Sequence, residues 1–163
     1  MDKQNKDVYC CPVFDPAKWN EQMYNWENKM FIRGTMLQFL HFPFPGMIRR
    51  IMKKLWKQAT EAEAEPEQSE FLMLTYDLSP WKCEFYMSVK QAVPGADNVQ
   101  LSGNYFTKVF DGPYSLVPQY INEMDILLAQ KNMLAKKYYF HEAACPLCDR
   151  RYEVNNIVLF AEI

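Results

Sequence analysis

The chain has 163 residues, 49% of them hydrophobic and 15% aromatic, and its 20 acidic and 18 basic side chains leave a net charge of −2. Such a length fits one domain that buries roughly two-thirds of its unfolded surface, and the near balance of charge excludes a whole-molecule field toward nucleic acid or anionic membrane. No stretch reaches roughly eighteen uncharged apolar residues, and the polar start from Met1 to Asp7 has no signal core, so the expectation is a cytosolic protein with no membrane partner.

In chain order, residues 1–28 are polar and turn-rich around Pro12, Pro16, Trp19 and Trp26, and read as an N-terminal arm. Residues 30–42 are rich in strand formers and stop at Pro43-Phe44-Pro45-Gly46. Apolar residues at 47, 48, 51, 52, 55 and 56 then mark one face of a helix. A charged linker through Pro66 leads to strands over 71–76 and 83–93, with a turn at Asp77-Leu78-Ser79-Pro80. The second half gives a strand over 99–110, a breaker at 111–113, a helix over 114–130 and strands over 136–144 and 156–162.

An offset of 69 residues lays Leu116, Val117, Tyr120, Ile121 and Met124 on Met47, Ile48, Ile51, Met52 and Leu55, with Gly103 on Gly34 and Phe140 on Phe71. Agreement of helix stripe, strand glycine and breaker in one register predicts an internal repeat. The expected fold is α+β: a tandem βαββ repeat over 30–93 and 99–162 in one domain. Its antiparallel sheet carries two helices on one face and a concave ligand groove between the modules.

Ser102-Gly103-Asn104-Tyr105, Val109 to Tyr114, Tyr120 and the closing strand Asn155 to Phe160 resemble the GyrI-like small-molecule-binding family. Glu84 to Val89, Val93-Pro94-Gly95 and the Cys145-Pro146-Leu147-Cys148 element resemble its stand-alone bacterial subgroup. The resemblance implies a duplicated SHS2 module whose groove takes hydrophobic, often cationic or planar, compounds. Some members hydrolyse cyclopropane-bearing DNA alkylators, others sense drugs or inhibit gyrase. No helix-turn-helix segment is read before the domain, which disfavours the regulator role and direct sequence-specific nucleic acid binding.

Strand alternation puts Glu84 with Tyr86, and Tyr138 with Phe140 and Glu142, on shared faces. A carboxylate beside rings in a cleft pairs with a cationic ligand or serves as general base on water. The expected catalytic set is therefore Glu142 or Glu84 on water and the Tyr105 phenol on the developing negative charge. Trp26, Trp81, Tyr86, Tyr114, Tyr138, Phe140 and His141 are the expected ligand walls, each weighed against ordinary core packing.

Cys145 and Cys148 have the spacing of half a zinc site that His141, Cys10 or Cys11 would have to complete; two plain thiols are the simpler reading, and no cofactor is expected. His41, between Leu40 and Phe42, reads as a core histidine. Arg49, Arg50, Lys53, Lys54 and Lys57 read as the solvated face of the first helix and the one patch suited to a polyanion. The leading expectation is a binder of small planar hydrophobic, xenobiotic-type molecules that extends to hydrolysis of strained-ring electrophiles; a non-catalytic ligand carrier and an interaction module with a protein partner or weak homodimer stay open.

Overall fold

The computed structural model describes residues 14–142 and 156–163. Helix α1 (Pro16–Trp19) is followed by strands β1 (Gln22–Phe39) and β2 (Phe42–Pro43), helix α2 (Met47–Glu61), and strands β3 (Met73–Ser79) and β4 (Lys82–Ser88). Then come β5 (Asp97–Asp111), α3 (Val117–Gln130), β6 (Lys137–Glu142) and β7 (Asn156–Glu162). All pairings are antiparallel, in the order β2-β1-β4-β3-β6-β7-β5, and β1 also pairs with β5. The fold is thus an α+β fold, with six strands closed into a barrel-like sheet and three helices among the described residues.

Helix α2 forms where the apolar stripe predicts it. Gly46 at its N-cap adopts φ 77°, a left-handed conformation that glycine takes without a Cβ penalty. The stripe seats the helix on the outer face of β1, β3 and β4, against Ile32, Met36, Met73, Cys83, Phe85 and Met87. Contact is so close at Gly34 that a Cβ there would stand 2.8 Å from the Ile51 Cγ2 atom. Helix α3, begun by Pro118 in its first turn, covers Phe106, Phe110, Phe140, Ile157 and Leu159 of β5, β6 and β7. Both helices therefore lie on the outer face of the sheet.

Three differences from the sequence reading have physical causes. First, β1 begins at Gln22, not Met30, because Gln22 to Trp26 pair with Thr107 to Gly103 of β5. Trp19 and Trp26 are accordingly interior residues, and the Thr107 hydroxyl fastens the Trp19 carbonyl at 2.6 Å. Second, the sheet's inner face is filled rather than left as a groove: Phe31, Tyr86, Tyr105, Tyr139 and Phe160 pack there with both tryptophans. Third, the superposed glycines do different work. Gly34 admits a helix, whereas Gly103, at φ 132°, sits opposite Trp26 where the β1–β5 register slips. The predicted strand end at 143–144 and Asn155 lie outside the described residues.

Candidate functional site

On the outer side of the sheet, near the start of α2 and the turn before α3, lies a cavity of about 230 Å³. Met36, Ile48, Met52, Met73 and Phe85 make its apolar wall, and Gln38, His41, Thr75, Cys83, Tyr114 and Glu142 supply its polar groups. It draws on both halves of the chain: Met36 to Phe85 come from the first, Tyr114 and Glu142 from the second.

The tight turn between β1 and β2 positions the histidine. Leu40 and His41 adopt φ 49° and 67°, the two-residue left-handed turn of a hairpin, usually built from Asn-Gly and strained in bulky residues. Holding it there, the His41 amide donates to the Pro80 carbonyl at 3.1 Å and the Gln38 amide to that of Trp81 at 3.0 Å. His41 is thus exposed at the cavity mouth rather than a core residue, and its Nδ1 lies 2.6 Å from Asp77 Oδ2. The other carboxylate oxygen accepts from Gln38 Nε2 at 2.6 Å, and the same nitrogen reaches the Ser79 carbonyl at 2.8 Å. Buried Gln38 therefore orients Asp77, and Asp77 orients the imidazole. With the Nδ1 proton donated to Asp77, the Nε2 lone pair is the basic one, which is the arrangement of a general base held by a third group.

Facing it are a phenol and a thiol that remain protonated at neutral pH. The Tyr114 hydroxyl is pushed well above its ordinary value, first by burial of its ring, then by Cys83, Asp77 and Glu142. Phe140 supports that ring edge-on at 5.9 Å. Burial likewise pushes the Cys83 thiol up to about 12, with Asp77 and Glu84 adding to the effect. A cysteine so placed is a poor nucleophile, since the thiolate is the reactive form.

The predicted site residues divide between the two faces of the sheet. Glu142 and Tyr114 line the outer cavity, and Phe140 stands behind Tyr114. Tyr138, also outward, donates to Asp125 of α3. Glu84, Tyr86, Tyr105, Trp26 and His141 are all buried. Glu84 accepts from the Tyr86 hydroxyl at 2.6 Å and lies 3.7 Å from Arg33 and 3.8 Å from Lys82. Tyr105 packs against Trp26 with ring centres 4.2 Å apart, and burial pushes its hydroxyl up to about 12. The His141 Nδ1 meets the Met73 backbone, and burial lowers this imidazole to about 4. Trp81 stands exposed at the β3–β4 turn, edge-on to Phe39.

Among the described residues no three His, Cys, Asp or Glu side chains are grouped to hold a metal ion. Cys10, Cys11, Cys145 and Cys148 lie outside the described residues. His41, Asp77 and Gln38 escaped the sequence reading because Leu40 and Phe42 disguise His41 as core. The available signal was that Asp77 opens the turn read between the third and fourth strands. No curated protein matches the chain. A family model described as bacterial hydrolase matches residues 1–163, so the chain belongs to the bacterial hydrolase family.

Proposed function

We propose that this chain hydrolyses a compact, planar, largely apolar molecule held in the outer cavity. The observation that carries the reading is the Gln38–Asp77–His41 hydrogen-bonded series at the mouth of an apolar cavity, in a chain of a hydrolase family. His41 Nε2 takes a proton from water as the water oxygen attacks the electrophilic carbon. The Tyr114 hydroxyl donates to the oxygen that gains negative charge, and the imidazolium returns its proton to the leaving atom. Glu142, on the same cavity, favours substrates with a positive end. Cys83 takes no covalent part, because its thiol is held protonated.

The finer reading is a GyrI-like protein with a duplicated SHS2 module, cytosolic, whose substrates are cyclopropanoid electrophiles. Its support is the resemblance at Gly112-Pro113-Tyr114 and Asn155 to Phe160, and the element order β1-α2-β3-β4 followed by β5-α3-β6-β7. On that reading, water opens the strained ring and Tyr114, in place of the buried Tyr105, steadies the enolate-like charge.

The test is hydrolysis of a panel of nitrophenyl esters and cyclopropanoid compounds by wild type, His41→Gln and Asp77→Asn. Loss of a general base lowers kcat by about 10²–10⁴. Variants as fast as wild type on a substrate that wild type turns over would overturn the assignment.

A further inference from the structure

The β1–β2 hairpin presents large apolar side chains to solvent. Leu37, Phe39, Leu40, Phe42, Phe44 and Trp81 are each half or more exposed, with Phe42 at 75% and Trp81 at 54%. Three of them are neighbours: Phe39 and Trp81 meet edge-on at 5.5 Å, Phe42 pairs with Phe39 across the hairpin, and backbone hydrogen bonds tie the hairpin to the β3–β4 turn. A soluble surface scatters such residues singly, whereas a contiguous patch marks a surface that something covers.

Charge identifies what covers it. Immediately after the hairpin, α2 turns Arg49, Arg50, Lys53, Lys54 and Lys57 to solvent, and its first acidic residue is Glu61, paired with Lys57 at 3.6 Å. The first turn of α2 carries no acidic residue, and its N-cap makes no side-chain hydrogen bond. Cations at a helix N-terminus oppose the macrodipole, so an external anion gains what the helix itself forgoes. Exposed rings and leucines beside the cations Arg49, Arg50, Lys53 and Lys54 match the chemistry of an anionic lipid surface: apolar groups sink to the acyl boundary while lysine and arginine meet the headgroups. No helix among the described residues is long and apolar enough to cross a membrane; lying on one needs none.

We infer that this protein docks on anionic bilayers through the β1–β2 hairpin, with the basic face of α2 on the headgroups. His41 and Pro43 of the same hairpin line the cavity, which places it beside the docked hairpin. An apolar molecule dissolved in the bilayer then reaches the cavity without crossing water. The docking itself stands apart from the hydrolytic reading, because it is measured with no substrate present.

The test is co-sedimentation of the full chain with phosphatidylcholine vesicles and with vesicles containing phosphatidylglycerol, at low and high salt. Wild type should pellet with the anionic vesicles on the order of tenfold more than with the neutral ones, and salt should release it. Phe42→Ser with Phe44→Ser, and separately Lys53→Glu with Lys54→Glu, should each lower binding at least about tenfold, since one cation near the surface accounts for about fivefold. All four side chains are exposed, so unchanged melting curves check that the variants fold. Wild-type binding by both variants, or no anionic binding at low salt, overturns the inference. So does a dimer in solution that Phe42→Ser with Phe44→Ser dissociates while vesicles go unbound, because the patch is then a contact between two copies.

Discussion

Acidification should weaken this protein in part through His141 of β6. Its imidazole is fully enclosed, next to Trp19 at 5.8 Å and the Met73 backbone, and burial holds it at about 4 against 6.5 for a free histidine. Below pH 6.5 the unfolded chain binds a proton that the folded chain refuses until about pH 4, so stability falls with pH across that window and levels off beneath it. At about 1.36 kcal/mol per pKa unit, the whole window removes about 3 kcal/mol, of which about 2 kcal/mol is gone by pH 5. Urea unfolding of wild type and His141→Phe at pH 7 and pH 5 isolates this contribution from that of the carboxylates. The variant should be weaker at pH 7 by about 1–3 kcal/mol for the unpaired Met73 backbone group, yet lose about 2 kcal/mol less than wild type on going to pH 5. Equal losses in the two proteins would refute the assignment of a neutral, enclosed His141.

Trp19→Ala should destabilise by about 3–5 kcal/mol in urea titrations, as for a core tryptophan; a change under about 1 kcal/mol would return residues 16–19 to the status of an arm. Gly112 has φ 146°, and a Cβ there would meet the Tyr120 hydroxyl at 2.2 Å. That hydroxyl is buried without a hydrogen-bond partner among the described residues. Tyr120→Phe should therefore leave the melting temperature unchanged or raise it, and should recover part of the stability lost in Gly112→Ala; additive losses in the double variant would contradict the contact. Cys83 should resist iodoacetamide at pH 8, whereas rapid alkylation would indicate a reactive thiolate.

Local periodicity made much of the architecture legible. The stripe at 47, 48, 51, 52, 55 and 56 gave α2 its start at Met47, and the apolar run over 156–162 matched the bounds of β7. Pairing between distant strands leaves no local trace, so the β1–β5 contact and the filled interior behind it were hidden. For the same reason Gln22 to Asn28, polar along one edge of β1, looked like a tail. Among the residues that line the cavity, Glu142 was singled out from strand alternation and Tyr114 as a ring able to form a ligand wall. His41 and Asp77 were not, because their pairing depends on two turns 36 residues apart being held side by side.

Ring closure of the sheet also bears on how this chain behaves at high concentration. Each of the six barrel strands has a partner on both sides, leaving the two-residue β2 as the one edge strand among the described residues. An open sheet offers its unpaired amides and carbonyls as a template onto which further chains add, the route to domain exchange and fibrils. Here that template is almost absent while the β1–β5 seam holds. Self-association through backbone pairing would first require parting two barrel strands, and at the β1–β5 seam Trp19 and Trp26, packed just inside, oppose the opening.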